Sequence, residues 1–187
     1  MDEKKITLAE RLGMTAHISG LRHKARRLGL SVLDALASEA IARGCYHYAP
    51  AFDHGLESHL SEREFPNDEL AMALLTVANQ YDPRVIRIGA MMLGARENDP
   101  RDLARLAVWE RCECVVRYIA TCALRYEPDS PFWMELLEAL PSGPMPKDGV
   151  MPHHSRFVSD PGLIAPRTFG KPTWLRPMAL RAARHAA

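Results

Sequence analysis

Histidine and cysteine are the residue types here that could hold a metal ion, and their spacing decides whether they do. His54-Gly55-Leu56-Glu57-Ser58-His59 places two histidines around a glutamate. A helix aims two ligands at one ion when they stand at i and i+4, on one face, and 54 and 59 are five apart. Cys112 and Cys114 are two apart, so a helix turns them about 200° from each other and they cannot share an ion. Cys122 sits among apolar residues and reads as a small core side chain. Cys45-Tyr46-His47 could supply two ligands of a structural zinc site, with His153-His154 as a second pair. The expectation is that no metal and no other cofactor is held, with a metal protein or enzyme kept as a further alternative.

Covalent and phosphoryl chemistry find no grammar either. Gly170-Lys171 is followed by Pro172 where a phosphate-binding loop needs Ser or Thr, and Ala165 stands where that loop needs glycine. There is no Gly-x-Ser-x-Gly elbow and no Gly-x-Gly-x-x-Gly fingerprint. No nucleophile stands in a recognisable relation to a base and an orienting partner. A non-catalytic protein is therefore expected.

Contact with nucleic acid has a more definite basis. In Leu8-Ala9-Glu10-Arg11-Leu12-Gly13-Met14-Thr15, Ala9 permits close helix contact, Gly13 suits a turn and Thr15 suits a cap. The following stretch, Ala16 to Leu28, carries Arg22, His23, Lys24, Arg26 and Arg27. These residues together resemble the first helix, turn and basic second helix of a helix-turn-helix DNA reader. The resemblance covers about 25 residues and implies that Arg22, Lys24, Arg26 and Arg27 meet phosphates or base edges. Ile18 and Leu21 fall one residue early for a recognition helix. The alternative is an amphipathic helix whose basic face is solvated or pairs with acids elsewhere in the chain.

Charge is distributed to make that pairing plausible. Residues 1–55 hold eight Lys/Arg and six Asp/Glu, residues 56–141 nine Arg and fifteen Asp/Glu, and residues 142–187 seven Lys/Arg and two Asp/Glu. An acidic middle between two basic ends favours ends that lie on that middle or on an acidic partner. The whole chain has a net charge of only +1, so it is not a polycation.

Helices must position these residues, and their start signals recur. Asp82-Pro83, Asp99-Pro100 and Ser130-Pro131 each put a short polar acceptor before a proline that opens an apolar run. Asn67-Asp68-Glu69 opens another, with its acids at the positive end of the dipole. The spacing predicts helices near 67–80, 83–96, 100–126 and 131–140, and near 4–13, 15–28 and 31–44, with Gly13, Gly29 and Gly44 as punctuation. The stretch 100–126 reads as one central helix. Its second half leaves a thin polar stripe of Glu113, Arg117, Thr121 and Arg125, one residue in four, so the segment from Cys114 to Leu124 should be encased by neighbours. Asp-Pro-Arg recurring after 17 residues suggests stacked helical hairpins, with an irregular bundle as the alternative.

Beyond Pro141 the chain changes character. Half of the 14 prolines lie in residues 142–187, which forbids long helices and favours an extended arm. Phe157, Phe169 and Trp174 are apolar anchors too large for a free linker, and Arg176 adds charge beside Trp174. Such an arm lies on its own core or in a partner's groove.

Together these features predict an all-α protein: an irregular helical bundle or short stack of helical hairpins over 1–141, with a Pro-rich extended C-terminal arm over 142–187. Within it, 1–45 would form basic N-terminal helices and 56–141 an acidic core. Apolar residues at 47% and charged residues at 25% fit a globular domain, whose burial can reach about 70%. No run of residues is apolar enough for a membrane span, no secretory signal opens the chain, and four cysteines suit a reducing compartment. The expected role is a cytoplasmic adaptor or subunit that docks on a protein partner, within a nucleic-acid-associated assembly or as a homo-oligomer. The rival is a DNA-binding regulator using the basic helix.

Overall fold

A computed structural model of the chain describes residues 20–31, 33–45, 63–76, 83–143, 163–164, 173–174 and 177. Seven helices run through them: α1 (Gly20–Arg27), α2 (Leu33–Ala42), α3 (Asn67–Leu75), α4 (Pro83–Leu93), α5 (Pro100–Trp109), α6 (Glu113–Tyr126) and α7 (Pro131–Ala139). The expected helix near 4–13 and the start of the one near 15–28 lie outside the described residues. The all-α expectation holds for the helical part of the chain.

The start signals work unequally. Asp99 caps α5 as its sequence implies: Oδ1 accepts from the backbone N–H of Arg101 at 2.8 Å and of Asp102 at 3.1 Å, with Pro100 in the first turn. Ser130 occupies the cap position of α7 before Pro131, but its side chain makes no cap bond. Before α3 the cap position belongs to Pro66 rather than to Asn67. Asn67 Oδ1 instead accepts from Arg43 Nη1 at 3.0 Å. The reason lies in α2, where Arg43 and Glu39 are almost fully buried as an ion pair of 2.7 Å. A guanidinium withdrawn from water needs acceptors for its five N–H groups, and Arg43 Nη1 also donates to the Phe65 carbonyl.

Three of the helix ends share one pattern. After α1, the N–H of Gly29 donates to Arg26 O and that of Leu30 to Ala25 O; after α2, Gly44 donates to Ile41 O and Cys45 to Ala40 O. Both are Schellman ends, with a glycine at positive φ followed by a buried residue. The same pattern ends α5: Arg111 N–H donates to Val108 O and Cys112 N–H to Ala107 O. Here the left-handed position is held by Arg111, with φ 56°. The single helix expected over 100–126 is therefore two, broken at 110–112 by a left-handed turn that no glycine or proline announces.

The helix expected to be central is also displaced. α3 takes that place, touching α1, α2, α4 and α5. Leu70-Ala71-Met72-Ala73-Leu74-Leu75 is apolar round its whole circumference and buried at every position, which a helix tolerates only when surrounded. Ala71 and Ala73 let neighbours approach it closely. α6 is nevertheless the encased segment that its stripe implies: Val115, Val116, Ile119, Ala120, Cys122 and Ala123 are fully buried. On its stripe, Arg117 donates to the carbonyls of Leu140 and Pro141, which fastens the end of α7. The larger contacts join helices one or two places apart in the chain.

In the arm, Leu163–Ile164 (β1) pairs antiparallel with Thr173–Trp174 (β2), Leu163 opposite Trp174. β2 lies beside α6. No helix among the described residues is long and apolar enough to cross a membrane.

Candidate functional site

Two surfaces of the described residues could bind. The first is α1. Leu21 and Ala25, one turn apart, turn inward onto α3 and are buried. That fixes the other side: Arg22 and Arg26 form one row, His23 and Arg27 the row beside it, and all four are exposed. Arg22, Arg26 and Arg27, three of the four residues nominated for nucleic-acid contact, thus share a solvent face. Lys24 does not. Its ammonium pairs with Glu69 Oε2 on α3 and sits 5.8 Å from the Phe65 ring centroid. The basic helix is therefore partly spent on the acidic middle of the chain, through Lys24, while Arg22, His23, Arg26 and Arg27 stay exposed. The turn and first helix of the helix-turn-helix resemblance, Leu8 to Thr15, lie outside the described residues.

A cleft of about 70 Å³ opens between α1, α2 and α3. Arg22 and Arg26 stand at it, over Leu30, Leu33 and Leu36, with Ser31 and Thr76 supplying hydroxyls. Its lining contains no carboxylate.

The second surface is the tip where α5 turns into α6. Leu103, Ala104 and Ala107 form the buried stripe of α5. Trp109 is two residues on from Ala107, about 200° round the helix, and it is 69% exposed, with Val108 beside it at 42%. The Arg105 guanidinium lies 5.6 Å from the Trp109 ring centroid and is itself held by Asp102 at 2.9 Å. Sequence reading did not single out Trp109; the signal was its angular position against that apolar stripe.

Cys45, Cys112 and Cys122 are core residues, and Cys114 is half-buried beside them. All four are free thiols. Cys45 and Cys112 fill the buried position after a left-handed turn, and Cys112 Sγ lies 3.7 Å from Met72 Sδ. Burial pushes the Cys45 thiol far above its ordinary value; burial first, then the Glu110, Glu113 and Cys114 charges, does the same to Cys112. Cys114 is raised by burial and then by Glu113, less completely covered. Glu110 Oε2 and Glu113 Oε2 are buried without a hydrogen-bond donor. Among the described residues no group of three or more His, Cys, Asp or Glu is placed to hold a metal ion. His47, His153 and His154, needed for the zinc alternative, lie outside the described residues, as do Phe157, Phe169 and Arg176 of the arm; Trp174 is placed only by its backbone pairing in β2. Compared with known proteins, the chain matches no family model, no curated protein and no solved structure.

Proposed function

We propose that this chain is a non-catalytic cytoplasmic adaptor that docks on a protein partner through the α5–α6 tip. The exposure of Trp109 carries the reading. Covering the open part of a tryptophan removes roughly 150 Å² from water, worth about 3–4 kcal/mol. Tryptophan and arginine are the residue types that dominate protein–protein contacts. The Arg105 guanidinium beside the ring puts both residue types on the same tip. Short helices packed on their chain neighbours supply a scaffold that can present such a surface. The Pro-rich arm, with Phe157, Phe169, Trp174 and Arg176, is the second docking element in this reading, which for the arm rests on sequence pattern.

The test compares proteins retained by the full chain from its native cells with those retained by Trp109→Ser. Partners lost with the variant, at unchanged melting temperature, support the proposal. An identical retained set overturns it. Sedimentation of both proteins separates a foreign partner from a second copy of this chain.

A second reading is favoured by one observation, the two exposed cationic rows of α1. In it, Arg22, His23, Arg26 and Arg27 lie along a nucleic-acid backbone, and Lys24 contributes only to folding. Duplex binding should then weaken with salt, and each arginine replaced should lower the salt slope by about one. Absence of binding at low salt removes this reading and leaves protein docking.

A further inference from the structure

We propose that the α5–α6 turn takes an arginine side chain of a foreign protein partner, held by the carboxylates of Glu110 and Glu113 beside the Trp109 ring. The contact rests on docking through Trp109 and specifies the partner's side chain there.

Glu110 closes α5 and Glu113 opens α6, with the left-handed Arg111 between them. Glu110 is only 8% exposed, and its Oε2 is covered with no donor in reach. Glu113 is partly exposed, yet its Oε2 is also covered and without a donor. Buried side-chain acceptors nearly always have a partner, because leaving one unpaired forfeits its hydration with nothing in return. Two such oxygens in one turn mark a place where donors are missing. They also lie close to a common point. Burial, then Glu110, then Glu113 hold the Cys112 thiol up, so both carboxylates act on one sulfur in the turn between them.

Neither neighbouring arginine supplies the donors. Arg105 pairs with Asp102 at 2.9 Å and lies against Trp109. Arg111 is exposed and reaches neither orphan oxygen. Among the described residues no group of three or more His, Cys, Asp or Glu is placed to hold a metal ion, so the missing group is a hydrogen-bonding organic cation. Arginine suits the place better than lysine. Its planar guanidinium carries five N–H donors, enough to serve two carboxylates, and its flat face packs on an aromatic ring. Trp109 immediately precedes Glu110 and is 69% exposed, so ring surface remains open beside Arg105. The surrounding charge has the right sign, since residues 56–141 hold nine Arg against fifteen Asp/Glu, and a basic segment is drawn to such a surface. Both oxygens are covered in the free chain, so the carboxylates turn outward as the guanidinium arrives. Recovery of the missing hydrogen bonds drives that movement.

The probes are acetyl-arginine amide and its uncharged counterpart acetyl-citrulline amide, each titrated into the full chain. Binding is read from the NMR signal of the Trp109 indole N–H, assigned with Trp109→Phe, and from the side-chain carboxyl carbons of Glu110 and Glu113. The arginine probe should saturate with a dissociation constant on the order of millimolar, and the citrulline probe should not. Glu110→Gln/Glu113→Gln should weaken arginine binding roughly tenfold or more, through loss of charge-assisted hydrogen bonds. Glu97→Gln is the control, exposed and beyond the other end of α5, and should leave binding unchanged. The proposal is overturned if the arginine probe does not saturate, if citrulline binds as well, or if the double variant binds like the parent. Should the double variant lower the melting temperature, Glu113→Gln decides alone. A chain that sediments as a dimer, and as a monomer after the double change, would have its own second copy as occupant, which overturns the assignment to a foreign partner. Failure here is distinct from failure of docking. Partners lost with Trp109→Ser but kept in full by Glu110→Gln/Glu113→Gln overturn the arginine contact alone, whereas partners all kept by Trp109→Ser overturn both.

Discussion

Gly89 on α4 lies so close to Leu75 on α3 that a Cβ at position 89 would come 2.6 Å from Leu75 Cδ2 and 2.7 Å from its Cγ. The two helices make the most extensive contact among the described elements, and Leu75 is fully buried, so it has little room to move.

Gly89→Ala therefore sets two effects against each other. Alanine favours the helix by about 1 kcal/mol over glycine. Forcing a methyl into a closed contact costs about 1–3 kcal/mol. Overpacking should win, giving a net loss of about 1–2 kcal/mol in urea denaturation. In the double variant Gly89→Ala/Leu75→Ala the two losses should be less than additive, because the shortened side chain leaves the space that the methyl needs. A Gly89→Ala protein more stable than the parent would show that α3 and α4 are not in such close contact.

Arg111 gives the opposite sign. It holds a left-handed turn at φ 56° with its side chain exposed, and left-handed backbone costs a residue with a Cβ about 1–2 kcal/mol. Glycine relieves that strain but gains freedom in the unfolded chain, worth about 0.5–1 kcal/mol against it. Arg111→Gly should stabilise the protein by about 0.5–1 kcal/mol, read as a higher melting temperature. Arg111→Val should lower it, because branching at Cβ worsens the clash.

These two positions show what the sequence could reveal. Gly29 and Gly44 mark helix ends because the left-handed turn is written in their residue type. Arg111 performs the same turn with nothing in its type to show it, so Pro100 to Tyr126 reads as one helix. Asp99 is a legible cap because its partners are two and three residues away. Asn67 is not, because its oxygen is claimed by Arg43 from another helix. The cationic face of α1 follows from local spacing, and three of its four nominated residues stand there. The diversion of Lys24 depends on Glu69, 45 residues on, and no local pattern carries a contact of that range. The cleft between three helices is likewise a product of packing alone.

Arg43 is held in a different balance. Its pair with Glu39 is buried at both ends, and the same guanidinium reaches Asn67 and the Phe65 carbonyl. Arg43→Met leaves the Glu39 carboxylate buried without its main partner, which costs about 3–5 kcal/mol. Replacing both, as in Glu39→Met/Arg43→Met, should recover much of that loss, because an apolar pair of similar volume has no charge to desolvate. If the single and double variants unfold at the same urea concentration, the ion pair is not what sets the stability of this junction.

The buried thiols predict how stability changes in alkali. Cys45 and Cys112 are neutral in the fold because burial, and for Cys112 the Glu110 and Glu113 carboxylates, disfavour the thiolate. In the unfolded chain each titrates near its ordinary value of 9.0. The folded pKa is raised, so below that value both states carry the proton and stability is unaffected by these groups. Above it the unfolded chain releases a proton that the fold retains, and stability must fall as pH rises. The slope approaches about 1.4 kcal/mol per pH unit for each thiol. Cys45→Ala/Cys112→Ala should be less stable at neutral pH, from lost packing, yet lose stability more slowly above about pH 9. Urea midpoints measured at neutral pH and through the alkaline range for both proteins check this. Parallel losses in the two proteins would mean that other groups, not these thiols, govern alkaline unfolding. With a thiol reagent under native conditions, half-buried Cys114 should react before Cys45 and Cys112, whose modification should keep pace with unfolding.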